Sequence, residues 1–233
     1  MSRTVLIGDV HGCADELSEL LTLVAVGPLD RVVLVGDLVG RGPDGRRAVE
    51  LARTVGARAV RGNHEERLLR WRTAPDTERL SRSLRPLVTE PSQRLGTEDW
   101  QFLASLPMWL ELPEHDVLVV HAGLQPGLPL AEQQRHVLLN IRCLGPAGEP
   151  DTGRGEQLWA RSYQGPPHVV FGHNALAEPQ LHPWATGLDT GCVYGGRLTA
   201  MVLAAGEPVP PLERRRDVLL SVPARRVHVP IED

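Results

Sequence analysis

Two aspartates, three histidines and an asparagine stand directly after short apolar runs of this chain. "TVLIG" leads into Asp9 and His11, "RVVLVG" into Asp37 and Arg41, "ARAVRG" into Asn63 and His64, "DVLVV" into His121, and "HVVFG" into His173. One histidine after an apolar run is more often a cap or a packed surface group, and Asp beside Gly is ordinary turn chemistry. Five such places in 233 residues point to a common cause. The set offers oxygen and nitrogen donors and no thiolate, which suits Mn, Fe, Co, Ni or Zn. It is larger than the roughly three protein ligands of one catalytic zinc. It is large enough for two ions that share a carboxylate, and Asp37, central in the series, is the natural bridge. Paired ions about 3.5–4 Å apart belong to hydrolytic phosphoryl transfer, in which an activated water attacks phosphorus in line.

Such a set must be brought together by the elements that carry it. The runs "TVLI", "RVVLV", "ARAV", "DVLVV", "HVVF" and "RLTAMVLAA" have strand composition. "ADELSELLTLVAV", "DGRRAVELARTV" and "HEERLLRWR" between the early ones have helical period. Strands alternating with helices predict an α/β fold with a covered sheet. Strand C-termini are where such folds assemble their sites, and glycine lets the backbone turn sharply there. Val55-Gly56-Ala57 reads as a helix end running into the next strand. The stretch 73–113 reads as a helical or irregular insertion over one rim of the sheet, with "TEDWQFLASLP" a capped helix. The later strands have little helix between them, which predicts a second sheet. Leu144 to Glu156 reads as a loop, so residues 1–233 are expected to form one domain. The tail "VLLSVPARRVHVPIED" is expected to add only an edge strand because of its prolines.

Composition excludes several classes. A hydrophobic fraction of 42% supports a sizeable core, and a net charge of −4 argues against a dedicated nucleic-acid or membrane-surface binder. No run approaches the roughly 18 apolar residues of a membrane helix. Cys13, Cys143 and Cys192 form no C-x-x-C pair and are read as reduced thiols of a cytoplasmic protein. His115, His136, His168, His182 and His228 lack the strand-end setting and are read as ordinary histidines. Oligomeric state is left open.

In order, "GDVHG", "GDLVGRG", "RGNHE", "HAGL" and "FGH" resemble the motifs of the metallophosphoesterase superfamily, and most closely its phosphoprotein-phosphatase branch. That branch includes bacterial Ser/Thr protein phosphatases and symmetrical diadenosine tetraphosphate hydrolases. The resemblance runs from Val5 to about Leu203. It implies a calcineurin-like fold of two facing mixed sheets flanked by helices, and two divalent ions, with Mn²⁺ expected. It places Asp9, His11 and Asp37 on one ion and Asp37, Asn63, His121 and His173 on the other. His64 becomes the general acid for the leaving oxygen, and Arg41 the grip on phosphate oxygens, a task that suits a guanidinium fork. A second phosphate-binding arginine is expected between the two late histidine motifs, where "HVLLNIRC" offers Arg142. Trp159 and Tyr163, spaced as one helix face, are candidates to stack on a base, Tyr163 foremost.

In the protein-phosphatase members the residue before the motif arginine is usually an aspartate that supports the acid histidine; here it is Gly40. A carboxylate partner raises a histidine pKa and fixes its tautomer. Unless Asp44 or Glu65 replaces it, His64 is a weaker acid near pH 7. A serine alkoxide needs protonation to leave, whereas a nucleoside diphosphate is already a stable anion. Gly40 therefore favours a phosphoanhydride. The tetraphosphate hydrolases also lack the aspartate and continue "RGP", and "GLDTGCVYGGRLTAMVL" resembles their C-terminal stretch. The expected reaction is conversion of diadenosine tetraphosphate to two ADP. The alternatives are a protein Ser/Thr phosphatase, a broad phosphomonoesterase, or an enzyme acting on inorganic polyphosphate.

Overall fold

Val5 and Ile7 of the first strand face one way and Leu6 the other, and this period-two alternation stacks the molecule in layers. The computed structural model describes residues 2–74, 81–82, 84–90 and 93–230. β1 (Thr4–Ile7) leads through α1 (Ala14–Leu23) to β2 (Arg31–Leu34), α2 (Gly45–Thr54), β3 (Arg58–Ala59) and α3 (Asn63–Thr73). The short α4 (Pro86–Thr89) and α5 (Thr97–Ser105) precede β4 (Trp109–Leu112) and β5 (Val117–Val120). α6 (Arg135–Asn140), β6 (Cys143–Leu144), β7 (Pro150–Asp151) and α7 (Trp159–Ser162) follow. The chain closes with β8 (His168–Phe171), β9 (Gln180–His182), β10 (Ala185–Gly187), β11 (Asp189–Thr190), β12 (Arg197–Leu203) and β13 (Leu219–Pro223).

The first sheet runs β11-β12-β1-β2-β3, with β13 on the other edge of β12; the second runs β4-β5-β8-β10-β9. β1, β2 and β3 are mutually parallel, as are β5, β8 and β10. β12 and β4 pair antiparallel with their neighbours, so both sheets are mixed. Leu6, Val33, Met201, Leu112, Val119 and Val170 meet between the sheets. Val5, Ile7 and Leu34 pack instead under Leu17 and Leu20 of α1 and Ala48, Val49 and Ala52 of α2. Leu118, Val120, Val169 and Phe171 pack under Leu138 of α6 and Trp159 of α7. The expected arrangement of two facing mixed sheets flanked by helices is the one observed. α2 ends where expected, with Gly56 in the left-handed region at φ +64°.

The sequence reading misses several strands. The stretch 73–113 does carry α4 and α5, but it ends in β4, an edge strand of the second sheet. Its "WLEL" turns Leu110 and Leu112 inward, and that alternation is too short to stand out from the helical composition before it. Residues 75–80, 83, 91 and 92 of the stretch lie outside the described residues. β9, β10 and β11 have two or three residues each and carry no periodic signal of their own. The tail supplies β13 at an edge, as its prolines require; residues 231–233 lie outside the described residues.

Candidate active site

The loops leaving β1, β2, β5 and β8 and the N-terminus of α3 converge at one end of the two sheets. The turns are tight. His11, Asp37, Arg41 and His173 all have positive φ, between 48° and 67°, a conformation rarely taken by non-glycine residues. Asp and His tolerate it better than most, and such strain persists where surroundings over-determine it. Glu65, buried at the start of α3, supplies much of that determination. Its carboxylate accepts hydrogen bonds from the backbone N–H of Asp37 (2.9 Å), Val39 (3.1 Å) and Gly62 (2.9 Å). It thereby ties the Asp37–Arg41 loop to the helix that carries Asn63 and His64.

All six expected ligands are brought together. Asp37 lies between two groups of donors: its Oδ2 is 3.6 Å from His11 Nε2 and its Oδ1 is 3.5 Å from His121 Nε2. His11 Nε2 is also 4.0 Å from Asp9 Oδ2, and His121 Nε2 is 3.0 Å from Asn63 Oδ1. The backbone N–H of His173 donates to both Asp9 oxygens at 3.1–3.2 Å. His121 Nδ1 donates to the Val35 carbonyl (2.9 Å), which fixes the tautomer and leaves Nε2 as a lone-pair donor toward Asp37. His173 Nε2 is buried without a partner. The ligand atoms of His11, Asp37 and His64, and separately those of Asp37, His121 and His173, lie within 4.8 Å of one another.

The electrostatics call for cations. Burial, then the charges of Asp189 and Asp37, raise Asp9 well above the usual carboxylate range. Burial is also the main cause for Asp37, raised to about 7, and for Asp189, raised to about 6. Burial lowers the pKa of His11, His121 and His173, so the neutral, ligating form of each imidazole is favoured. Carboxyl groups raised this far resist ionisation unless a counter-charge is near, and divalent ions bound among these groups would supply it. The residues present fit such ions.

Gly40 meets the ring of His64. A Cβ on Gly40 would lie 2.2 Å from His64 Nδ1, and the backbone there has φ +81°. Among the described residues no carboxylate replaces the missing aspartate. Glu65 is committed to the three backbone N–H groups, and Asp44 caps α2 by accepting from the Arg47 N–H. Both His64 ring nitrogens are buried without a partner, and the ring stacks edge-on against His11 at 4.7 Å. Burial, then His11 and Arg41, hold the His64 pKa well below its ordinary value.

His11, Asp37, Asn63, His64, His173 and Asp189 line a cavity of about 800 Å³. Arg41 and Arg142 both line it. Arg142 lies beyond the end of α6, where the Arg142 N–H donates to the Asp151 carbonyl and its guanidinium to the Thr152 carbonyl (2.7 Å). Tyr163 is not brought to the cavity. α7 turns its apolar face onto the second sheet, so Trp159 is 1% exposed with its Nε1 donating to the Ala122 carbonyl, and the Tyr163 hydroxyl donates to the Pro167 carbonyl. The aromatic ring lining the cavity is Tyr194, with the Arg41 guanidinium 5.5 Å from its centroid. Sequence reasoning also missed Asp189, Arg67, Arg82, Arg154 and His136 on the cavity wall. Asp189 shares the signal of the others, since "GLDTG" is a strand end flanked by glycines. The arginines belong to no strand end and had no such marker. His115 and His168 are structural, hydrogen bonded to Thr4 and Thr186.

Facing mixed sheets with buried carboxylates and imidazoles gathered at their loop ends define a metal-dependent hydrolase of the phosphoesterase type. The model of the calcineurin-like phosphoesterase family matches residues 2–209, and the chain belongs to that family. It is 29% identical over 217 residues to bis(5'-nucleosyl)-tetraphosphatase PrpE (asymmetrical) of Oceanobacillus iheyensis, covering 84% of this chain and 86% of that one. To the bis(5'-nucleosyl)-tetraphosphatase, symmetrical, of Chromohalobacter salexigens it is 30% identical, covering 88% and 96%. A crystal structure provisionally described as a diadenosine tetraphosphatase superposes with a TM-score of 0.79 at 36% identity, covering 95% of this chain and 93% of the other.

Proposed function

We propose that the chain hydrolyses dinucleoside polyphosphates, taking diadenosine tetraphosphate to two ADP. The observation that carries this reading is Gly40 against His64, with no carboxylate on the imidazole among the described residues. An unsupported acid suits a leaving group that departs as a stabilised anion. Relatives named as tetraphosphatases support the same substrate class, although they include both symmetrical and asymmetrical enzymes.

In this reading Asp9, His11 and Asp37 hold one divalent ion, and Asp37, Asn63, His121 and His173 hold the other. When bound, two such ions, Mn²⁺ in the first instance, supply nucleophile activation and Lewis acidity at phosphorus. The protein's own groups position the substrate. Arg41, held over Tyr194 with its Nε buried and unpaired, and Arg142 bind the oxygens of the reacting phosphate and stabilise its growing charge. His64 lines the same cavity as the candidate acid for the leaving oxygen, and burial makes it a weak one. Phosphopeptides are the second substrate class of the same chemistry. Purified protein with Mn²⁺ and diadenosine tetraphosphate should release ADP alone. AMP with ATP would overturn the symmetrical cut, and faster turnover of a phosphopeptide would overturn the substrate class. No helix among the described residues is long and apolar enough to cross a membrane.

A further inference from the structure

Five arginines, Arg41, Arg67, Arg82, Arg142 and Arg154, line the cavity, and among the described residues none of them forms a salt bridge. Only Arg41 and Arg142 are needed to hold one phosphoryl group at the Asp37 carboxylate. The other three fall into two groups, one beside His64 and one beside Arg142. Arg67 lies three residues after His64 on α3, which puts the two side chains on one helix face, and Arg82 lines the cavity with it. Arg154 also lines the cavity and follows the β6–β7 hairpin. That hairpin pairs Cys143 with Asp151 and places Arg154 beside Arg142. Burial, then the like charge of Arg154, push the Arg142 guanidinium below its ordinary value, a cost that a bound anion would remove. The two flanks match the two halves of the site, since His64 packs on His11 (ring centroids 4.7 Å apart) and His173 packs on His121 (5.1 Å).

We propose that Arg67 with Arg82 on the His64 flank, and Arg154 with Arg142 on the His173 flank, are two phosphate subsites, so that a polyphosphate chain runs through the cavity instead of ending at the metals. The inference rests on the polyphosphate reading above and adds which residues hold the phosphates on either side of the cut. If His64 faces the leaving oxygen, the phosphates of the leaving group lie along Arg67 and Arg82, and the retained phosphate lies along Arg154. The attacked phosphorus then carries a phosphate on each side. Water oxygen forms the new P–O bond, the bridging P–O bond to the neighbouring phosphate breaks, and its electron pair leaves on that phosphate, protonated as the pH requires. The outermost phosphorus, which has a nucleoside on one side, is not attacked.

Two measurements test this, and the second separates it from the substrate reading. In the first, diadenosine tetraphosphate is hydrolysed in ¹⁸O-water and the products are analysed by mass spectrometry. The label is expected in the terminal phosphate of a product that carries at least two phosphates; label in AMP would overturn the inference. In the second, inorganic tripolyphosphate inhibits p-nitrophenyl phosphate turnover, with the divalent ion in excess. Arg67→Ala and Arg154→Ala should each raise the inhibition constant about tenfold, the double variant about a hundredfold, and lysine at either position should restore part of the loss. Unchanged constants, or an effect from one flank alone, would overturn the two-subsite arrangement. If the wild type does not turn over the nucleotide and yet both flanks govern tripolyphosphate inhibition, the substrate reading fails and the subsites stand.

Discussion

The arginines of the outer surface and those of the cavity follow opposite rules. On the outside, Arg47 and Arg225 share Asp15, Arg70 and Arg135 share Glu66, Arg53 meets Asp99, and Arg3 meets Asp30. In the cavity, five guanidiniums line one space without a salt bridge among the described residues, while the acids below them crowd together around Asp37. Outside, opposite charges are satisfied locally. Inside, cationic wall and anionic floor are held apart, each short of a counter-charge. Separation of that kind costs stability, and the proposed ligands of both signs, cations below and an anionic chain above, would offset it.

Substitutions can break this contrast in graded steps. Asp37→Ala removes the carboxylate between the two histidine pairs and should lower activity by at least about a thousandfold in steady-state assays with Mn²⁺. His64→Ala should slow an alkyl phosphate monoester by about a hundredfold or more, the usual range for a lost general acid. Release of ADP from diadenosine tetraphosphate should slow at least about tenfold less; equal losses would remove the leaving-group rationale for Gly40. Gly40→Ala places a methyl 2.2 Å from His64 Nδ1 and forces a side chain into φ +81°. It should reduce kcat about tenfold or more on either substrate class, because the ring must move. Arg47→Ala removes a pair whose members are about half exposed (47% and 45%). Its effect on unfolding free energy in urea should stay under about 1 kcal/mol, with activity unchanged.

How legible the site was follows from how its residues are carried. Asp9, His11, Asp37, Asn63, His121 and His173 announce themselves because each ends an apolar run beside a turn, and turn chemistry is local. Glu65 was considered only as a support for His64. Two of the three backbone N–H groups it holds lie in a loop 26–28 residues away, which no local pattern encodes. Arg67 and Arg154 look in sequence like any exposed arginine, and only the fold aims them at one space. Tyr163 misled for the converse reason. Its spacing from Trp159 indicates a shared face, but not which layer that face meets. At the level of the fold, β1, β2, β5, β8 and β12 were readable from β-branched runs. β9–β11 exist because β8 and β12 offer edges to pair with, a tertiary cause without a local signature.

The central claim is that one carboxylate, Asp37, is shared by two cations. The most direct measurement loads metal-free protein with Mn²⁺, removes the excess, and combines metal analysis per chain with electron paramagnetic resonance. The account predicts two ions per chain with the spectrum of an exchange-coupled pair, and loss of the coupling in Asp37→Ala. One ion per chain with the signal of isolated Mn²⁺, or a coupled pair that survives without Asp37, would contradict it.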